Sequence, residues 1–240
     1  MRTAIISDIH GNLTALEAVL ADLKSVAPDV ILHGGDLAHG GARPVEVVDQ
    51  IRELRWPGVC GNTDEMLWEP ETLRDFAGKS PRLQRMFEMI GEMAAATREL
   101  LGAERIAWMK TIPREQRSGA LVLVHASRGD LWRAPSPEAA DSDLREVYGR
   151  LQAPLAVYGH IHQPYVREMA GLTVANTGSV SLSYDGDRRA SYLVIEEGKA
   201  VIRRVEYAVE AEAQALLGSA LPHAEWVCRN LRAGRFVAPE

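Results

Sequence analysis

Short apolar runs that stop at small polar clusters recur along this chain. Thr3 to Ile6 reads as a buried strand ending in Ser7-Asp8-Ile9-His10-Gly11-Asn12. Leu13, Leu16, Val19, Leu20 and Leu23 then follow at helical spacing, which places them on one face of an amphipathic helix. Pro28-Asp29 breaks that helix, and Val30 to His33 forms a second strand with a glycine-rich end, Gly34-Gly35-Asp36. Pro44 opens a second helix to about Leu54, with Val45, Val48, Ile51 and Leu54 on its apolar face. A third strand is expected near Val59-Cys60, before Gly61-Asn62-Thr63-Asp64. Strand, polar loop and helix thus alternate, and the polar residues gather at strand C-termini, where open α/β sheets place their ligand sites.

From about Glu65 to Gln116 this rhythm is interrupted. Leu83, Phe87, Ile90, Ala94, Thr97 and Leu101 fall on one helical stripe, with Met86, Met89 and Met93 beside it. The segment reads as a helical cap at about 65–116 within a single domain spanning 1–240. The methionines read as core filling, although this helix could also offer a homodimer surface. The strand rhythm resumes at Leu121 to Val124, ending at His125. A helix follows over about Leu144 to Leu151. The next strand, Leu155 to Tyr158, ends at Gly159-His160-Ile161-His162. Val166, Leu172 to Val174, Ser191 to Ile195 and Ala200 to Val205, separated by Gly171, Gly186 and Gly198, predict antiparallel strands in a second sheet packed on the first. The tail from about Val209 is Ala- and Leu-rich and helical.

Composition narrows the function. Of 240 residues, 46% are hydrophobic and 25% charged, an ordinary globular balance. The formal net charge of -6 argues against a stable nucleic-acid complex. Cys60 and Cys228 are far apart and form no C-x-x-C pair, so thiolate zinc sites find no support. No apolar run approaches the roughly 20 residues that span a bilayer. Asp8 cuts short the N-terminal apolar stretch, unlike a signal peptide. A cytoplasmic location without membrane attachment is expected.

The polar clusters carry the chemistry. Asp8-x-His10, Gly35-Asp36, Gly61-Asn62, His125 and Gly159-His160-x-His162 each close a predicted strand. Each alone is weak, but together they bring two carboxylates, four imidazoles and an amide to one sheet edge. Seven side chains are too many for one tetrahedral metal and suit two metals sharing a carboxylate, for which Asp36 is the choice. Imidazole and carboxylate without thiolate favour Mn or Fe, with Zn, Co or Ni as alternatives, over Ca or Mg. Two divalent cations outweigh Asp8 and Asp36, so the loaded site attracts an anion. Paired metals about 3.5–4 Å apart serve in-line phosphoryl displacement.

These blocks, in this order, resemble the calcineurin-like metallophosphoesterase superfamily, whose pattern is D-x-H, G-D, G-N-[HC]-[DE], H and G-H-x-H. The likeness covers roughly residues 1–62 and 119–208 and includes Val124-His125-Ala126-Ser127 and Asn176-Thr177-Gly178-Ser179-Val180. The chain looks like the small bacterial members, which are related to diadenosine tetraphosphatases and small phosphodiesterases. The resemblance implies a four-layer αββα sandwich of two mixed sheets flanked by helices. It implies that Asp8, His10 and His162 hold one metal and Asn62, His125 and His160 the other. Asp36 would bridge them, and a bridging hydroxide would act as nucleophile on a phosphodiester or nucleotide-type substrate. The alternatives are a phosphomonoesterase and a metal-binding scaffold without turnover.

Two positions depart from the pattern. Thr63 stands where many relatives have a His that helps protonate the leaving group. Asp64 is then the candidate acid, and Asn62, Thr63 and Asp64 form the catalytic set. Thr177 replaces the Pro of N-P-G-S and is expected to alter only the turn. Arg128 and Trp132 follow His125 and, with Asn62, are candidate substrate contacts, since Arg suits phosphate and Trp can stack on a base. Asn176 and Ser179 are candidates for orienting the ligands. His33 reads as a buried hydrogen-bonded residue and His39 as a solvent-facing one. Cys60 reads as buried, and Lys79, Arg82 and Arg85 as the solvated face of the inserted helix.

Overall fold

The structure is a computed structural model that describes residues 1–78 and 83–239. Lys79 and Arg82 lie outside the described residues, whereas Arg85 is exposed and pairs with Glu88 at 3.6 Å. The first sheet contains β1 (Arg2–Ile6), β2 (Val30–His33), β8 (Ala190–Glu196) and β9 (Lys199–Val205), in the order β2-β1-β8-β9. The second contains β3 (Glu115–Ser118), β4 (Leu121–Val124), β5 (Leu155–Tyr158), β6 (Tyr165–Met169) and β7 (Leu172–Asn176), in the order β3-β4-β5-β7-β6. Both are mixed: β1 runs parallel to β2 and antiparallel to β8, while β4, β5 and β7 are mutually parallel.

The two-residue period of the strands builds the layers. Ile5, Leu32, Leu193 and Ile195 of the first sheet meet Leu121, Leu123, Leu155, Val157 and Ala175 of the second in one buried cluster. The alternate positions point outward. Ala4, Ile6, Tyr192 and Val194 pack under α1 (Leu13–Val26), α2 (Pro44–Leu54) and α5 (Gln84–Met109). Val122, Val124, Ala156 and Tyr158 pack under α6 (Asp141–Tyr148). Both faces of each sheet are therefore buried, which is why the central strands read as unbroken apolar runs. The result is the expected four-layer arrangement of two mixed sheets between helices.

Local signals set the helix ends. Asn12 caps α1 by accepting from Ala15 N at 2.9 Å, and Ala27 ends it in the left-handed region, its N–H returning to Leu23 O. Pro44 occupies the first turn of α2, where its missing N–H costs nothing. The inserted segment folds as α3 (Asn62–Trp68), α4 (Glu71–Ala77) and α5, with α5 interrupted at Gly102, whose φ is 69° and ψ 171°.

Several expectations change. The third strand near Val59-Cys60 is a single bridge between His33 and Gly58. Val59 N donates to His33 O, but Cys60 N turns away to Pro113 O, so the ladder cannot extend. The helical insertion ends before 116, because Glu115 and Gln116 pair in β3 with Val124 and Leu123. The late β-rich stretch does not form a sheet of its own: β6 and β7 join the second sheet, β8 and β9 the first. Leu83 leaves the buried stripe and is 46% exposed at the start of α5. Met89 and Met93 are covered by α7 (Val209–Leu217) and α8 (Ala224–Ala233) of the same chain. Among the described residues no helix is long and apolar enough to cross a membrane.

His33, at the end of β2, is 2% exposed and its Nδ1 has no hydrogen-bond partner. Burial pushes its imidazole down from 6.5 to about 4. Between these values the unfolded chain binds a proton that the folded chain refuses. Stability is therefore unaffected above pH 6.5 and falls as the pH drops towards 4, by about 3 kcal/mol in full. His33→Leu is expected to shed this part of the acid sensitivity. Urea midpoints at pH 7 and 4.5 check it: the wild type should lose more stability between them than the variant, and equal losses would refute the assignment.

Candidate metal centre

Five sequence blocks meet at one edge because β1, β2, β4 and β5 all deliver their C-termini there. Asp8 N donates to Gly35 O at 3.0 Å, His10 N to Asp36 O at 2.9 Å and Gly11 N to Leu37 O at 2.8 Å, zipping the first two loops together. Gly159 N donates to His125 O at 2.9 Å, joining the loops after β4 and β5. The backbone is strained where the polar residues sit. Asp8, His10, Asp36, His160 and His162 all have φ between 49° and 66°. Ala27, Arg55 and Gln152, by contrast, are left-handed helix C-caps. Left-handed residues outside caps and turns cost roughly 1–3 kcal/mol each and persist where side-chain placement demands them.

The donor atoms fall into two groups. Asp8, His10, Asp36 and His162 each offer a ligand atom, all within 4.8 Å of one another. His10 Nε2 is 3.2 Å from His162 Nε2, which is 3.3 Å from Asp8 Oδ1. In the second group Asn62 Oδ1 lies 2.9 Å from both His125 Nε2 and His160 Nδ1. Asp36 stands between them, its Oδ2 3.7 Å from His10 Nε2 and 3.5 Å from His125 Nε2.

The far sides of the rings are tied down. Nδ1 of His10, His125 and His162 pairs with the carbonyls of His39, Gly34 and Leu182 at 2.9, 2.8 and 2.6 Å. Donation from Nδ1 fixes the tautomer and leaves Nε2 a lone pair aimed at the cluster. Asp8 and Asp36 are 0% and 2% exposed. Burial alone raises both carboxyls, but the facing histidines, His162 at Asp8 and His125 at Asp36, bring both below their ordinary value. Burial lowers His10, and burial with neighbouring His125 brings His160 down to about 4. His125 is raised, the pull of Asp36 and Asp8 overcoming burial.

The residues fit divalent metals. Among the described residues, neither buried carboxylate pairs with a lysine or arginine; each faces imidazoles, themselves metal-binding groups. Imidazole and carboxylate oxygens converging without thiolate are the donor set of borderline divalent ions.

The centre floors a cleft of about 300 Å³. Met66 of α3, Met86, Ile90 and Met93 of α5, and Trp226 and Val227 of α8 line it above the polar floor. Thus the stripe read as pure core divides: Met86 and Met93 also face the cleft.

A sequence profile of the calcineurin-like phosphoesterase superfamily domain matches residues 1–199. The chain belongs to the calcineurin-like phosphoesterase superfamily. It is 30% identical to an uncharacterized protein of Methanocaldococcus jannaschii over 97% of this chain and 98% of that one. It is 23% identical to a probable cyclic nucleotide phosphodiesterase of Synechococcus, over 70% of this chain and 71% of the relative. With a symmetrical bis(5'-nucleosyl)-tetraphosphatase of Pectobacterium carotovorum it shares 27% identity, over 72% of this chain and 60% of that protein. The crystal structure of a metallophosphoesterase from Sphaerobacter thermophilus superposes with a TM-score of 0.78 at 27% identity, covering 98% of this chain and 99% of the other.

Where the chain departs from the superfamily pattern, the structure shows what replaces it. Thr63 lines the cleft and its N–H donates to Asp36 Oδ1 at 2.9 Å, while its hydroxyl oxygen is buried without a hydrogen-bond partner. Asp64 does not face the cleft, contrary to its reading as the leaving-group acid. It is 0% exposed and accepts from Asp36 N, Leu37 N and Gly61 N at 2.8, 2.9 and 2.9 Å. Burial and the Asp36 charge push it up to about 7, against the Gly61 and Leu37 N–H donors that favour its ionised form. Thr177 does more than alter a turn: its Oγ1 is 2.5 Å from Ser7 Oγ, which in turn bonds Asp8 Oδ2.

The remaining candidates sort cleanly. Trp132 lines the cleft. Arg128 does not: its guanidinium reaches Arg150 O at 2.7 Å and Glu115 at 3.9 Å. Ser179 Oγ donates to Asp8 O at 2.8 Å and Asn176 Nδ2 to Gly159 O at 2.6 Å, so both hold ligand-bearing loops. His39 is buried at 5% exposure, not solvent-facing, and its ring pairs with Ile90 O at 3.2 Å. Burial raises the Cys60 thiol to about 12, an inert group. Tyr184, unnoticed in the sequence, stacks on His162 with centroids 4.7 Å apart and planes at 20°.

Gly61 makes the packing of this centre testable. A Cβ there would overlap the Asp36 carboxylate and press its backbone N at 2.7 Å. Gly61→Ala is expected to displace Asp36 and weaken Mn²⁺ binding by about 10–100-fold. Calorimetric titration of metal-stripped protein checks this, and unchanged affinity would refute it.

Proposed function

We propose that the chain is a dinuclear metal-dependent phosphoesterase that hydrolyses phosphate esters or anhydrides, phosphodiester or nucleotide-type substrates being favoured. The observation that carries this reading is Asp36, a buried carboxylate set between two groups of convergent imidazole, carboxylate and amide donors. Asp8, His10 and His162 would hold one divalent ion, and Asn62, His125 and His160 the other, with Asp36 shared. Mn²⁺ or Fe²⁺ suits this donor set best. Two such ions supply Lewis acidity towards phosphoryl oxygens and a lowered pKa for water. The whole chain is read as one domain, with α3 to α5 as its cap.

The chain's own groups do the positioning. His39, Gly34 and Leu182 carbonyls fix three imidazoles, and Ser7 holds Asp8. Thr63 N orients the Asp36 carboxylate. The superfamily assignment and the phosphodiesterase and tetraphosphatase relatives support the reaction class.

The test is hydrolysis of bis-p-nitrophenyl phosphate by metal-stripped protein, with and without Mn²⁺, beside His10→Ala. Turnover that needs metal and is lost in His10→Ala is the expected result. No turnover from folded, metal-loaded protein towards aryl esters, dinucleotides and dinucleoside polyphosphates alike would overturn the reading in favour of a metal-bearing binding module.

A further inference from the structure

The cleft above the metal floor has two aromatic walls, contributed by separate parts of the chain. Phe76 of α4, Phe87 of α5 and Trp132 form one. Phe76 lies 5.0 Å from Trp132 with planes at 30°, and 5.6 Å from Phe87 edge-on. Tyr184, Trp226 of α8 and Phe236 form the other, with Phe236 5.9 Å from Tyr184 and 6.4 Å from Trp226, both edge-on. All six side chains line the same cavity as His10, Asp36, His160 and His162.

The indole N–H groups of these walls are already used, leaving the Tyr184 hydroxyl as the polar group the aromatic walls still offer. Trp132 Nε1 donates to Glu65 Oε2 at 3.3 Å and Trp226 Nε1 to Val237 O at 2.7 Å. Asn230, also in the lining, accepts from Val237 N and donates to Trp226 O, both at 2.8 Å. The walls therefore offer faces for stacking and few groups to read a ring's edge. Among the described residues no lysine or arginine lines the cavity, and Arg133 lies over the Phe76 ring at 5.2 Å from its centroid, so phosphate charge is met mainly at the floor. The volume of about 300 Å³ lies at the small end of ligand sites, which run to about 1,000 Å³.

Resting on the phosphoesterase reading, we propose that the cleft selects esters whose single phosphate carries a flat aromatic group, a nucleoside or aryl ring, and disfavours polyphosphate chains. The phosphate sits on the floor and the ring stacks against a wall. A dinucleoside tetraphosphate carries more phosphate charge than the floor of the cleft meets. Base–aromatic stacking tolerates any flat ring, so little preference among bases is expected.

A binding test keeps this separate from turnover. Mn²⁺-loaded protein is titrated with phenylphosphonate and with methylphosphonate, neither hydrolysable, following tryptophan fluorescence. Phenylphosphonate is expected to bind at least about tenfold tighter, the scale of one stacked ring. Trp132→Leu and Phe236→Leu should each narrow that ratio, and Phe236, 46% exposed, can be changed with little risk to folding. Equal affinities, or a ratio unmoved by both variants, overturns the proposal even if the protein proves an active hydrolase. A second arm compares kcat/KM for thymidine 5'-(p-nitrophenyl phosphate) and diadenosine tetraphosphate. A preference of at least about tenfold for the first is expected, and the reverse order overturns the single-phosphate preference. If these two, bis-p-nitrophenyl phosphate and dinucleotides are all left intact, the hydrolase reading fails, while the phosphonate pair still decides the aromatic selectivity.

Discussion

Asp36→Asn is expected to lower Mn²⁺-dependent hydrolysis of bis-p-nitrophenyl phosphate by about three orders of magnitude, the scale of losing several kcal/mol of metal-centred stabilisation. The substitution keeps the shape of the side chain, and Asn Oδ1 can still accept from Thr63 N, as Asp36 Oδ1 does at 2.9 Å. What it removes is the charge between the two donor groups. Without metal, Asp36 is a buried carboxylate whose ion-pair partners are His10 and His125. Replacing it by an amide should cost the metal-free fold some stability, since the facing imidazoles hold the Asp36 carboxyl below its ordinary value and its charge therefore favours the folded chain. The wild type should gain thermal stability on adding Mn²⁺, because an ion that binds only the folded chain favours folding by mass action. Asp36→Asn should lose most of that gain. A variant that keeps both turnover and metal-induced stabilisation would show that Asp36 is not shared between metals.

The clustering of the candidate metal ligands was legible in the sequence for a physical reason. All but Asn62, which opens α3, follow a strand in a sharp loop, so they are announced by an apolar run, a glycine or polar turn, and a metal-binding residue type. The same logic located the central strands, whose alternate residues fill the inter-sheet and outer layers. What was not legible depends on contacts between distant segments. Trp226 reaches the cleft because α8 packs against α5, Tyr184 because it stacks on His162, and Phe236 because it sits edge-on to both, and no local spacing announces that. Arg128 looked suited to phosphate by residue type, yet its position after Ser127 carries its guanidinium to Arg150 O. The expected third strand failed because Cys60 N bonds outside the sheet, to Pro113 O. His39 reads as a loop residue by composition and is buried because α5 closes over it.

Asp64 is the residue whose role moved furthest between sequence and structure, and its removal should be the largest single blow to stability near the site. Asp64→Ala is expected to cost about 3–5 kcal/mol, because three buried N–H donors lose their acceptor and each orphaned donor costs roughly 1–3 kcal/mol. Those donors belong to Asp36, Leu37 and Gly61, so the carboxylate ties the Asp36 loop to the start of α3. At the third position of that helix it also returns to the N-cap N–H of Gly61, the acidic half of a capping box. Loosening this tie lets Asp36 drift, so metal affinity and turnover should fall together. The fall should be similar for bis-p-nitrophenyl phosphate, with its good leaving group, and for a dinucleotide, with its poor one. A leaving-group acid would behave differently: its loss would spare the good leaving group and penalise the poor one. Urea denaturation gives the stability term, and the ratio of the two kcat values distinguishes a positioning carboxylate from an acid. An unchanged urea midpoint with a loss confined to the dinucleotide would return Asp64 to the acid role.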